Sequence, residues 1–136
     1  MRTTFDLSSY TEPLQLVHRQ ADAPLPVDDL RLLPPDEQEA AIDAWLEDEK
    51  RRDFDWNKAP LLRFQVHLRS DETFQFTLSF SHAILDGWSV ASMLTELFHD
   101  YFSRLGGRGT DPPKPALSST LGDLAALEQE ALGSEE

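Results

Sequence analysis

Two stretches of strict alternation, residues 61–69 (LLRFQVHLR) and 73–81 (TFQFTLSFS), constrain the fold of this chain more than any other feature. Apolar residues occupy every second position in both stretches, which is the period of a β-strand with one buried face. The residues between them, Ser70-Asp71-Glu72, are polar and suit a tight loop. The sequence therefore predicts an antiparallel hairpin.

The loop length sets the register of this hairpin, because a three-residue loop pairs Arg69 with Thr73. The apolar side chains then face one another in pairs: Leu68 with Phe74, Val66 with Phe76, Phe64 with Leu78, and Leu62 with Phe80. A slip of one residue would turn one apolar set outward, so this register is well specified. The same register places Arg63 opposite Ser79.

Short extended segments are predicted before the hairpin, at 2–6 and 12–20, and a proline-rich extended or turning connection is predicted at 24–35. A helix should follow from about Pro35, because proline suits the first helical position and acidic residues come next. Its apolar side chains share one face: Ile42, Trp45 and Leu46.

Beyond the hairpin, the apolar period changes from 2 to 3.6 after Gly87 and predicts a helix to about Arg104. Residues 105–118 are rich in glycine and proline and are predicted to form an internal loop or linker. A last amphipathic helix is expected at about 120–132, with Thr120 as its cap.

The composition narrows the class of protein. The 136 residues correspond to one domain or a piece of one. With 12 basic and 25 acidic residues, the formal charge of −13 repels phosphate backbones, so nucleic-acid binding is not expected. The sequence contains neither an apolar run long enough to span a membrane nor a secretory signal at its start, and it lacks cysteine. We therefore expect a cytoplasmic protein without disulfides.

His82 is the candidate catalytic residue, because it continues the buried parity of Phe80 at the point where the strand gives way to a turn. An imidazole there should be partly buried yet reachable, as a general base near neutral pH must be. A satisfied structural histidine is the alternative, and the short His-x-x-x-Asp-Gly pattern alone favours it somewhat. The other histidines lie at polar positions and are expected on the surface: His18, His67 and His99.

Asp86 has two interpretations, a direct pair with His82 or an anchor of the turn. The register brings Arg63 close to the end of the hairpin from which residues 82–87 emerge, so the sequence favours a bidentate Arg63–Asp86 pair. Gly87 suits a turn that needs a positive φ or a close backbone approach, directly before a helix.

The stretch FTLSFSHAILDGWSVASMLTELFHDY resembles the core motif of the condensation domains of nonribosomal peptide synthetases, His-His-x-x-x-Asp-Gly followed by an aromatic residue and serine. The corresponding positions hold Ser81, His82, Asp86, Gly87, Trp88 and Ser89. RTTF at 2–5, PLLRFQVHL at 60–68 and the segment 121–136 are similar to flanking motifs of that family. The resemblance covers essentially the whole chain.

This resemblance implies an α/β sandwich, a partial chloramphenicol-acetyltransferase-like lobe in which helices pack on a mixed or antiparallel sheet. It implies that His82 acts on or positions the attacking amine, that Asp86 is a structural acid with Arg63 as partner, and that the Gly87 backbone lies near the reacting carbonyl. The implied reaction forms an amide between two carrier-bound thioesters. Partner carrier domains deliver the substrates on phosphopantetheine arms, so the chain itself needs no cofactor.

Two departures from the family pattern modify these expectations. Ser81 replaces the first motif histidine, so the supporting role of that histidine is lost or altered. Family domains are also longer, and residues 1–136 are expected to form a partial domain that lacks its first strand and helix and the whole second lobe. The isolated chain is therefore expected to be inactive. The alternatives are an epimerisation domain of the same fold, a non-catalytic carrier-docking module and an inert fragment.

Overall fold

The structure, a computed structural model, describes residues 2–107 and 118–134. The strands are β1 (Thr3–Asp6), β2 (Leu14–Val17), β3 (Val27–Asp29), β4 (Leu62–Leu68) and β5 (Phe74–Phe80). The helices are α1 (Pro35–Lys50), α2 (Gly87–Leu105) and α3 (Leu121–Gly133). The chain divides into two compact units, residues 1–93 and 94–136.

The first unit contains both sheets. Strands β1 and β2 form an antiparallel pair, and β3, β4 and β5 form a second sheet in that order. Strand β3 runs parallel to β4, whereas β4 and β5 are antiparallel. The predicted mixed sheet with helices is confirmed, although the sequence indicated only an extended or turning segment where β3 forms.

The predicted register of the β4–β5 hairpin is confirmed at every pair. Leu62 lies opposite Phe80 and Leu68 lies opposite Phe74, with the intervening residues in step. The loop closes where the Arg69 N–H donates to the Thr73 carbonyl at 3.0 Å. Arg63 therefore lies opposite Ser79, as the loop length required.

The predicted burial of the two hairpin faces is only partly correct. On the face that carries Arg63 and His67, helix α1 covers the strand, and His67 is 2% exposed. The Trp45 ring contacts the His67 ring edge-on, with centroids 5.5 Å apart. The prediction that His67 is a surface residue is therefore wrong. On the apolar face, Phe64 and Phe76 are only half-buried.

Helix α1 begins at Pro35, as predicted, and buries a stripe with the spacing of one helical face. The stripe consists of Gln38, Ile42, Trp45 and Glu49, of which Trp45 is half-buried and the others are buried. The Gln38 side-chain amide donates to the carbonyls of Leu30, Leu33 and Arg69, each at 3.1 Å. This amide joins α1 to the end of β4.

The ends of the remaining helices agree with the sequence prediction. Helix α2 begins at Gly87, and Gly107, with a φ of 67°, follows its end in the left-handed conformation that glycine adopts readily. Thr120 caps α3 and forms a capping box with Asp123. Most of the loop predicted at 105–118 lies outside the described residues.

Within the described ranges, none of the helices has the length and apolar character that crossing a membrane requires.

Candidate functional site

His82 lies on the loop between β5 and α2, at the corner of a tight turn. The Ser81 carbonyl accepts a hydrogen bond from the Ile84 N–H at 3.1 Å, which places residues 82 and 83 at the two central positions of a β-turn. The Ser81 N–H donates to the Leu61 carbonyl at 3.0 Å. This bond extends the pairing of β4 and β5 by one step, so the loop begins from a fixed point.

The other end of the loop is fixed by Asp86, which caps helix α2. Its Oδ1 accepts a hydrogen bond from the Ser89 N–H at 2.7 Å, the usual bond of an N-cap residue to the third helical position. Hydrogen bonding from Ser89, by its side chain first and then by its backbone N–H, lowers the pKa of the Asp86 carboxyl below its ordinary value. Leu85, just before the cap, is buried and anchors the loop.

The His82 side chain is more exposed than the sequence suggested. Its ring contacts Phe80, with centroids 5.1 Å apart and the planes at 69°. The residue as a whole is exposed. Strand parity predicts the direction of a side chain only while the pleat continues, and here the chain has already turned. The Asp86 carboxylate binds Ser89, and the described residues show no direct His82–Asp86 pair.

Arg63 binds Glu49 and not Asp86, and the predicted Arg63–Asp86 pair is therefore wrong. The Arg63 Nε donates to the Glu49 Oε1 at 2.5 Å, and a second guanidinium nitrogen donates to the Arg52 carbonyl at 2.7 Å. The guanidinium also lies 3.8 Å from the centroid of the Phe54 ring. The physical reason is that Arg63 shares the sheet face that α1 covers, where the last turn of the helix supplies a carboxylate that is 6% exposed.

Gly87 has neither the positive φ nor the close backbone approach that the sequence predicted for it. Gly107 has a positive φ among the described residues, and Gly87 does not. A Cβ built on Gly87 would meet no described atom within 4 Å. The Asp86 cap makes Gly87 an ordinary first residue of α2, so nothing in the described part of the chain requires glycine there. The neighbouring Trp88 is 85% exposed.

Sequence reasoning missed Glu49, although its spacing offered a signal. Glu49 is seven residues after Ile42 and four after Trp45, on the same helical face. A buried carboxylate in such a stripe needs a cation beside it, and Arg63 provides one.

A cavity of about 380 Å³ lies beside the Arg63–Glu49 pair. Aromatic and proline side chains form part of its lining, among them Trp45, Phe54, Pro24 and Pro60. The lining does not include His82, Asp86 or Gly87. The described residues also contain no cluster of three histidine or acidic side chains that could hold a metal ion.

Comparison with known proteins defines the class of this chain. The family model of the condensation domain matches residues 1–136, and the chain belongs to that family. It is 35% identical over 134 residues to the AMB antimetabolite synthetase AmbE of Pseudomonas aeruginosa, a match that covers 96% of this chain and 6% of that protein. It is 34% identical over 136 residues to the phosphinothricin tripeptide synthetase PhsC of Streptomyces viridochromogenes, covering 97% of this chain and 12% of that protein.

A solved structure confirms the predicted fold. The starter condensation domain of rhizomide synthetase RzmA superposes with a TM-score of 0.71 at 20% sequence identity. The match covers 96% of this chain and 31% of that structure, so the chain corresponds to part of a condensation domain. The predicted family, fold and partial coverage are all confirmed.

Proposed function

We propose that His82 serves amide formation in the polypeptide that carries this chain. In this reaction the amine of a carrier-bound acceptor attacks the thioester of a carrier-bound donor, and His82 acts on or positions that amine. Family membership supports the class of reaction. The observation that carries the proposal is an exposed imidazole on a loop that is fixed at both ends, by Ser81 and by Asp86.

The chemistry of such a site is that of an imidazole near neutral pH. An imidazole can accept a proton from an attacking ammonium or amine and return it to a leaving group. Attack forms the new C–N bond, and collapse of the tetrahedral adduct breaks the C–S bond and releases the thiol with the proton that the amine has lost. Because the loop is fixed before substrate arrives, little of the cost of placing the His82 backbone falls in the reaction itself.

The position of Gly87 at the start of α2 supports the same location for the reaction. The free space over Gly87 leaves room for a thioester carbonyl beside the start of α2. The N–H groups at the start of a helix that its cap leaves free can donate to the negative charge that develops on that carbonyl oxygen. We assign Asp86 and Arg63 structural roles, because the first caps α2 and the second binds α1.

Carrier domains are the partners that this reaction requires, and each brings its substrate on a phosphopantetheine arm. The chain itself then contributes side chains and no cofactor. The second lobe of the domain completes the site in which these substrates meet. We place the reaction in the cytoplasm, without contact to membrane or nucleic acid.

The test is the substitution His82→Ala in the native polypeptide, with His99→Ala as control, since His99 is an exposed histidine of α2. Loss of a general base lowers condensation by about 10²- to 10⁴-fold, and carrier binding should persist. An unchanged rate would show that His82 is a structural histidine. Loss of an α-proton label without amide product would identify an epimerisation domain instead, and carrier binding without any chemistry in the wild type would identify a docking module.

The 136-residue chain by itself should give no turnover with loaded carriers, since it corresponds to only part of the domain. Amide formation by this chain alone would contradict that expectation.

A further inference from the structure

Ser81 occupies the position where the family motif has its first histidine, and all of its polar groups are engaged. Its N–H donates to Leu61 and its carbonyl accepts from Ile84, two bonds that any residue could make through its backbone. The third bond depends on the side chain. The Ser81 Oγ accepts a hydrogen bond from the Ala83 N–H at 3.3 Å, inside the turn whose corner is His82.

His82 itself has few contacts that could fix its direction. The contact with the Phe80 ring is its one ring contact within the described residues, and those residues give its imidazole no hydrogen bond. The position of the imidazole therefore depends on the backbone of the turn and on the Phe80 ring. That backbone is closed by two bonds, the Ser81 carbonyl to Ile84 and the Ser81 hydroxyl to Ala83.

We propose that Ser81 is a positioning residue, whose hydroxyl holds the turn so that the His82 imidazole points toward the substrate. This inference rests on the proposed function of His82. The hydroxyl takes part as an acceptor from Ala83 and not as a group that transfers protons. Ser81 thus supplies a local hydrogen bond at the position of the first motif histidine. The chain can therefore keep His82 ordered although that first histidine is missing.

The kinetic test compares Ser81→Ala, which removes the hydroxyl, with Ser81→Thr, which keeps it. Ser79→Ala is the matched control, because the hydroxyl of Ser79, on the adjoining strand β5, has no hydrogen-bond partner among the described residues. In the native polypeptide with loaded carriers, we expect Ser81→Ala to lower kcat by about 3- to 10-fold, the factor that one hydrogen bond of this kind supplies. The KM for each carrier should not change, and Ser81→Thr should restore kcat.

Two kinetic outcomes would overturn the proposal. One is a kcat for Ser81→Ala equal to that of Ser79→Ala. The other is a Ser81→Thr variant as slow as Ser81→Ala, because the hydroxyl would then not be the group that matters. A wild-type polypeptide that forms no amide would instead overturn the proposed function, and a second measurement keeps the two failures apart.

That measurement follows the loop by NMR and needs no turnover. In the wild type we expect a nuclear Overhauser effect between the Phe80 and His82 rings and slowed hydrogen exchange at the Ala83 amide. Ser81→Ala should weaken the first and accelerate the second, whereas Ser79→Ala and Ser81→Thr should leave both unchanged. An undiminished Phe80–His82 effect in Ser81→Ala would refute the positioning role whether or not the polypeptide is active.

Discussion

Breaking the Arg63–Glu49 pair should destabilise the first unit, and the cost can be estimated from the surroundings of the pair. Glu49 is 6% exposed and Arg63 is 22% exposed, with Nε and Oε1 2.5 Å apart. Removing one partner of a buried pair costs about 3–5 kcal/mol, because the other charge is left without compensation. Glu49 retains Arg52 at 3.2 Å, but that arginine is exposed and offers little.

We therefore expect Arg63→Met to lower the free energy of unfolding by about 3 kcal/mol, at the lower end of the range for a buried pair. Methionine keeps an unbranched stem that can still pack on Phe54. Glu49→Gln should cost about 1–2 kcal/mol, since the amide keeps an acceptor and leaves an Arg63 cation that water can reach. Urea unfolding followed by tryptophan fluorescence gives both values.

A double-mutant cycle decides which acid is the partner of Arg63. The combined Arg63→Met and Glu49→Gln variant should be less destabilised than the sum of the single variants by about 1–3 kcal/mol, as for residues in contact. Asp86→Asn is the matched control, because asparagine also caps a helix and only the charge is lost. Its effect should add to that of Arg63→Met without coupling. Coupling of Arg63 to Asp86 as strong as that to Glu49 would refute the assignment.

Two further predictions concern pH and capping. Burial lowers the pKa of His67, and Asp28 opposes this only in part. On acidification, His67 is therefore protonated at a higher pH in the unfolded chain than in the folded chain. Stability should therefore fall as the pH drops through about 6.5, the value in an unfolded chain, and urea midpoints at pH 7.5 and 5.5 should differ less in His67→Gln. An equal difference between the two urea midpoints in the wild type and in His67→Gln would contradict this. Thr120→Ala should cost α3 about 1 kcal/mol through loss of its cap, seen as reduced helix content by circular dichroism, and Thr120→Ser should retain the helix.

The parts of the fold that sequence predicted well depend on contacts between near neighbours in the chain. The period of 2 and the Ser70–Glu72 loop determine the hairpin, because a register error would expose a whole apolar set. Pro35 and Thr120 mark helix starts through their own backbone chemistry. The family motif likewise lies within one continuous stretch, so the position of the loop that carries His82 follows from the amino-acid order alone.

The parts that sequence missed depend on elements that meet across the fold. The sequence predicted His67 on the surface, yet it is 2% exposed and contacts the Trp45 ring of α1. Helix α1 can cover this residue because its stripe pairs polar groups of its own with polar groups of the sheet, as Gln38 and Glu49 show. A pattern of apolar residues carries no information about which buried polar groups will find partners. The position of Arg63 was correct, and only its partner was wrong.

Arg63 and Asp86 have different partners and therefore different structural roles. Arg63 joins β4 to α1 through Glu49, and Asp86 closes the His82 loop through Ser89, so the described residues contain no ion pair that links sheet and loop. The loop is consequently held by the hydrogen bonds that Ser81 and Asp86 accept and by the buried Leu85. Substitutions at Glu49 should then act on the stability of the unit, whereas substitutions at Ser81 should act on the direction of His82. The free energy of unfolding and kcat should therefore respond to substitutions at different residues. Different contacts determine the stability of the unit and the direction of His82.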